Sequence, residues 1–204
     1  MSCVRVLSVN MDYQLAIENA PKTIPAGTGI LLIHPSTGET DRIDTDFFKT
    51  DTDQFLVIST RTTAREVTQK LEYYDVNEDR AEILDTLSVE RGYSRRRRDD
   101  VSYVSAPDDI KGIIEETEKF LTENEGKLKL SLDSVTELAY YADVESALKT
   151  VDQITSLLKE HDAVGLFHLS KEVHDDDVLE TFRERFPIII ELSEDGSVSV
   201  ESKI

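Results

Sequence analysis

Short, mainly apolar runs alternate along this chain with segments whose apolar positions recur every three or four residues. The runs are Ile30–Ile33, Phe55–Thr60 (FLVIST), Ala81–Leu84, Leu128–Leu132, Ala163–Leu169 and Pro187–Leu192. An apolar run bounded by turn residues is the pattern of a strand covered on both faces, as in a parallel sheet. Between them, Ile43, Phe47 and Phe48 mark a short amphipathic helix, with Asp41 and Asp44 near its start. Val67, Leu71 and Tyr74 mark a second helix, for which Thr62 or Thr63 is the cap and Glu66 lies in the first turn. Pro107-Asp108-Asp109 opens a third, carrying Ile110, Ile113, Ile114, Thr117 and Leu121, and Gly126 follows its end. A helical region over 135–159 is expected to break near Ala142-Asp143, where Asp143 caps the second piece. The last helix is expected over 174–186, with Val178, Leu179, Phe182 and Phe186 on one side. Val101–Val104 is extended, and Ser193–Gly196 joins Pro187–Leu192 to Ser197–Val200 as a hairpin. This alternation predicts right-handed βαβ units: an α/β fold with a mostly parallel sheet, helices on both faces and a C-terminal hairpin. Ile30–Ile33, Phe55–Thr60, Leu128–Leu132 and Ala163–Leu169 are the expected adjacent interior strands.

Charge sharpens this picture. The 204 residues carry 42 acidic and 23 basic side chains, a net charge of −19. The acids are spread over the chain while the apolar runs stay intact, the surface expected of a salt-adapted protein from a halophilic archaeon. Broad negative charge opposes non-specific nucleic-acid binding, so nucleic acid is not an expected partner. No apolar run is long enough to span a membrane and no secretory h-region is present, so the expected location is the cytoplasm, without membrane attachment. The single cysteine, Cys3, forms no internal disulfide. Residues 1–23 read as a lead-in, with Met11 an alternative start, and 24–204 as one domain.

The candidate chemistry sits after the first apolar run. His34, Pro35, Ser36, Thr37, Gly38, Glu39 and Thr40 have the length of a phosphate-binding loop, G-x-x-x-x-G-K-[ST]. Gly38 and Thr40 match, but Ile33 stands at the first Gly position and Glu39 at the Lys position. A carboxylate there repels the phosphate that the Lys would hold. Asp133, ending the run LKLSL, occupies the position of the Mg²⁺-holding acid of P-loop ATPases; a helix-capping role accounts for it equally.

The series ILLIHPSTGET, FLVISTRTTAREV, VSYVSAPDDI, LDSVTELAYY and AVGLFHLSKEVHD resembles the RecA-type ATPase domain, in the branch containing RadA and KaiC. More narrowly it is similar to haloarchaeal RecA/KaiC-like proteins, over residues 24–192. The resemblance implies a three-layer RecA-like fold, with Asp133 as the Walker B acid. It also implies a water-activating Glu after the second strand, where this chain has Ser59-Thr60-Arg61. With the Lys and that Glu both missing, the expectation is a non-catalytic, pseudo-ATPase module for interaction or regulation, without a cofactor. By analogy with RecA-like assemblies, its partner would be a protein or further copies of itself. One alternative is a nucleotide-binding protein or weak ATPase holding ATP and Mg²⁺ through Asp133 and Thr40. Another is a DNA-associated factor working through Arg95, Arg96, Arg97 and Arg98.

That arginine run reads either as a contact for an acidic partner or as a solvated loop balancing Asp99 and Asp100. His168 and His174, with Asp175–Asp177, carry no spacing that places them on one face, and no metal is expected. His34 reads as a neutral ring at the mouth of the loop, since no Ser or Cys nucleophile with a base is identifiable. Tyr140-Tyr141 reads as buried helix surface.

Overall fold

The computed structural model describes residues 11–37, 39–93 and 98–204. A hairpin of β1 (Asp12–Gln14) and β2 (Thr23–Pro25) precedes the main sheet. The sheet then builds in chain order from β3 (Gly29–His34), α1 (Asp41–Lys49), β4 (Gln54–Ser59), α2 (Ala64–Tyr73), β5 (Ala81–Asp85) and β6 (Val101–Tyr103). It continues through α3 (Ile110–Glu123), β7 (Leu128–Asp133), α4 (Val135–Tyr141), α5 (Val144–Glu160), β8 (Val164–Ser170), α6 (Asp176–Arg183), β9 (Ile188–Leu192) and β10 (Val198–Ser202).

Strand order across the sheet is β10-β9-β3-β8-β7-β4-β5-β6. Every pairing is parallel except the terminal β9–β10 hairpin. The four strands expected to be interior neighbours are β3, β8, β7 and β4, side by side at its centre. Their mainly apolar sequences follow from that position, because both faces are covered; Lys129, Ser131 and His168 are the buried polar exceptions within β7 and β8. On one face Ile43, Phe47, Phe48, Val67 and Leu71, from α1 and α2, pack with the first hairpin on Ile30, Leu32 and Val57. On the other, α3, α4, α5 and α6 bring Ile113, Leu138, Ile154 and Phe182 onto Leu31, Leu56, Leu130 and Phe167. Each such side chain removed from water contributes roughly 1.5–3 kcal/mol. Gly165 in β8 is required by this packing: a Cβ there would lie 2.7 Å from Leu158 Cδ1 and 2.9 Å from Phe167 Cε2.

Capping sets the helix starts. Thr63, not Thr62, caps α2 in a reciprocal box with Glu66. Asp109, Ser134 and Asp143 accept from backbone amides to start α3, α4 and α5, and Asp143 makes the break expected in the long helical segment.

Three expectations are corrected. The stretch before Gly29 carries the β1–β2 hairpin, whose Tyr13 and Ile24 are fully buried against the sheet. The last helix is shorter than 174–186, because Asp175 is extended and acts as its N-cap. Tyr140 is 80% exposed, since α4 turns Val135, Thr136 and Leu138 inward instead. Lys129 was hidden in the run LKLSL. It points to the α1 face, wholly buried, and its Nζ donates to Phe47 O at 2.8 Å and Thr50 O at 2.6 Å. The ammonium thereby satisfies carbonyls at the C-terminal end of α1.

Candidate functional site

All the parallel strands end on one edge of the sheet, and the expected loop and the expected acid meet there. Ligands of open α/β sheets bind outside these carboxyl ends. β3 ends at His34 and β7 at Asp133, with β8 between them. Gly38 lies outside the described residues; Ser36, Thr37 and Glu39 are exposed, while His34, Pro35 and Thr40 are buried.

The polar groups of this edge are committed to one another. Ser36 donates both its backbone N–H and its hydroxyl to Glu172 Oε2, at 2.8 Å each. These bonds hold the Glu172 carboxyl below the usual carboxylate range. The Thr40 hydroxyl donates to Asp44 Oδ2 at 2.9 Å. Arg61 follows β4 and grips Asp133: Nη2 donates to Oδ2 at 3.2 Å, while Nε approaches Oδ1 at 2.8 Å off the hydrogen-bonding axis. The backbone fixes this pair, because Ser59 and Asp133 are in register and Thr60 N–H donates to Asp133 O at 2.8 Å. Burial works against the Arg61 charge, and the Asp133 carboxylate more than offsets it, so its pKa is raised. Nearby, burial raises the pKa of Glu137.

Beneath the loop lies a second polar cluster. His168 Nε2 is 2.9 Å from Asp44 Oδ1 in ion-pair contact, with the ring N–H off the hydrogen-bond line. Burial opposes both charges of this pair. Mutual attraction, with Lys70 and Thr40 also on Asp44, leaves His168 raised and Asp44 lowered. Lys70 joins Asp44 to Asp41, at 3.5 and 2.5 Å. His34 sits edge-on to His168, ring centroids 5.6 Å apart, and its Nδ1 is 2.8 Å from Pro35 O. Burial and the neighbouring imidazolium lower the His34 pKa, which keeps its ring neutral.

His174 is elsewhere, with Nε2 3.1 Å from Thr136 Oγ1, so the two later histidines do not converge. Among the described residues no group of three or more His, Cys, Asp and Glu is arranged to hold a metal ion. Arg95, Arg96 and Arg97 lie outside the described residues; Arg98 pairs with Asp100 at 2.5 Å. Sequence reasoning missed Arg61, Glu172 and Asp44 as members of this edge. Arg61 carried one signal: a cation at the position where the resemblance implies a carboxylate.

This order of parallel strands, with the loop after β3 and an acid at the end of β7, is the RecA-like P-loop ATPase fold. A prototypical ATPase from the type III secretion system of pathogenic bacteria matches with a TM-score of 0.63 at 12% identity. That match covers 98% of this chain, which spans 65% of the length of the secretion ATPase. A KaiC-like protein from the hyperthermophilic archaeon Pyrococcus horikoshii matches with a TM-score of 0.65 at 15% identity, over 95% of this chain and 89% of the other. An uncharacterized protein from Pyrococcus horikoshii, crystallised in complex with an unknown peptide, gives 0.62 at 16%, over 88% and 84%. No functionally curated protein is detectably similar in sequence. The chain belongs to DUF7090, a family of unknown function, whose model matches residues 11–202. Among the described residues no helix is long and apolar enough to cross a membrane.

Proposed function

We propose that this protein is a non-catalytic RecA-like module that works through contacts with a protein partner or with further copies of itself, in a salt-adapted archaeal cytoplasm. The observation that carries the reading is the Arg61–Asp133 pair. In an ATPase of this fold the acid faces Mg²⁺ and the loop amides face phosphate. Here a guanidinium of the chain itself neutralises the acid, and the Glu172 carboxylate takes the Ser36 amide as a phosphate oxygen would. Thr40 is turned to Asp44, and Glu39 stands where a cation should meet the terminal phosphates. The residues present do not fit ATP with Mg²⁺. Nor does any carboxylate in Ser59-Thr60-Arg61 orient a water, which removes the group that hydrolysis needs.

The test is phosphate release from ATP with Mg²⁺ in high salt, alongside calorimetric titration of the wild type and Asp133→Ala. The expected result is no turnover, none gained by Glu39→Lys, and no nucleotide heat that depends on Asp133. Turnover above background, or sub-millimolar binding abolished by Asp133→Ala, would replace this reading with that of a nucleotide-binding protein using Asp133 and Thr40.

A further inference from the structure

The seam between α1 and α2 is not fully closed. On the sheet face that these helices cover, Ile30, Leu32 and Phe47 have no exposed surface, whereas Phe48, Val57, Val67, Leu71 and Val76 each keep 5–7%. Those last side chains line one cavity of about 230 Å³, bounded by the two helices and by strands β4 and β7. Protein interiors ordinarily hold few voids larger than a water molecule, and this seam departs from that packing. Its apolar floor offers water nothing to bond, which favours an apolar occupant.

The charges that line the cavity are already matched to one another. Lys70 bridges Asp41 and Asp44, at 2.5 and 3.5 Å. Tyr74 donates its hydroxyl to Asp41 Oδ2 at 2.6 Å, so α1 and α2 are tied across the seam. Asp44 also meets His168, Arg61 meets Asp133, and Glu66 is held in the α2 cap by Thr63. A charged ligand would have to separate one of these pairs and leave a partner uncompensated. Ser131 differs from them. It is buried on the same side of β7 as Lys129 and lines the cavity, and among the described residues its hydroxyl has no hydrogen-bond partner. Buried hydroxyls are ordinarily paired, so a group that enters here meets an open donor and acceptor.

We propose that this cavity binds a small, neutral, mainly apolar molecule about one ring in size. Its body lies against Phe48, Val57, Val67 and Leu71, and a single polar group bonds to the Ser131 hydroxyl. Volume sets the size: an apolar cavity of about 150 Å³ takes benzene, so about 230 Å³ admits a ring with a short substituent. The matched rim sets the charge. A nucleotide is excluded on both counts, so the site is independent of the loop at His34–Thr40 and stands whether or not that loop holds phosphate.

Calorimetry and methyl-resolved NMR in high salt test this with p-cresol, toluene, p-toluate and p-methylbenzylamine, which share a ring and differ in its substituent. The two neutral probes should saturate, with intermolecular NOEs to the methyls of Val57, Val67 and Leu71. The two charged analogues should bind at least about tenfold more weakly. Ser131→Ala should weaken p-cresol by about two- to tenfold, the worth of one hydrogen bond, and leave toluene unchanged. Val67→Phe, which fills the cavity, should weaken both neutral probes by about tenfold or more. Circular dichroism checks that the variants fold; if Val67→Phe does not, the NOEs to the wild type decide. The proposal fails if neither neutral probe saturates or if a charged analogue binds as tightly as p-cresol. It fails equally if Ser131→Ala or a folded Val67→Phe binds p-cresol as the wild type does, or if the NOEs place the ring elsewhere.

Discussion

Lys129 allows the packing of this fold to be read by titration. It sits in β7, the strand that carries Asp133, with no exposed surface, and burial pulls its pKa down from 10.5 to about 8. The depressed value means that the folded protein releases this proton before the unfolded chain does. Between the two values the unfolded state binds more protons, so stability rises with pH. A displacement of about 2.5 units amounts to roughly 3 kcal/mol at its limit. Linkage puts the gain at about 1.4 kcal/mol by pH 9 and about 2.6 by pH 10, relative to pH 7. Tyr13 bounds the window from above. Burial pushes its phenol up to about 12, so its contribution begins to be lost as pH passes 10. Urea unfolding at pH 7, 8, 9 and 10 should be run on the wild type and Lys129→Met. Met keeps the chain length and the contact with Phe47 but does not titrate. The expected result is a wild-type minus variant difference that climbs by about 2–3 kcal/mol from pH 7 to pH 10. A difference flat across that range would show that Lys129 is solvated, and would remove the account of how the end of α1 is held.

Two further outcomes follow from the surface and the caps. Thr63→Ala, which removes the hydroxyl of the α2 capping box, should cost about 1 kcal/mol in chemical denaturation, and Thr62→Ala much less. Melting followed by circular dichroism should show a falling midpoint as salt drops below molar levels, because the net charge of −19 is then less screened; an unchanged midpoint in dilute buffer would contradict the salt-adapted reading.

The strands and helices were legible because they are periodic, and periodicity is what burial imposes on sequence. β3 and β4 show as apolar runs since each is covered twice, and the α2 cap shows as Thr-x-x-Glu. The short hairpin around Tyr13 and Ile24 was not, because three-residue strands separated by eight residues give no alternation long enough to detect. Lys129 was missed for a different reason. A lysine in a strand reads as an exposed position, and only the carbonyls at the end of α1, some eighty residues away in sequence, make its burial affordable. Tyr140 went wrong because α4 is barely two turns long, too short for a stripe to declare its inner side. At the site, the loop and Asp133 could be located from motif order. What fills them could not: Arg61 and Glu172 reach the site from the ends of β4 and β8, and sheet order sets that meeting.

The filled site has an energetic signature of its own. The side chains of Arg61 and Asp133 retain 28% and 18% of their exposure, so each is partly desolvated and each depends on the other. Removing one partner of such a pair leaves an uncompensated charge. Asp133 is the less exposed, and Glu137, whose pKa burial raises, adds a second negative charge that Arg61 now counters. Arg61→Ala should therefore cost more than Asp133→Ala, about 2–3 kcal/mol against 1–2 at pH 7. The double variant should cost less than the sum of the two, with a coupling of about 1–2 kcal/mol. The sign of the pH dependence separates charge from lost packing. Glu137 has a raised folded pKa, so its contribution is present at low pH and lost as pH rises through that value. Without Arg61 that value moves higher still, and the deficit of Arg61→Ala should shrink as falling pH protonates Glu137. A deficit constant from pH 7 to pH 4 would mean that Arg61 contributes packing alone. A coupling near zero would mean that Asp133 does not need its guanidinium partner, and the acid would then stand free for a metal ion after all.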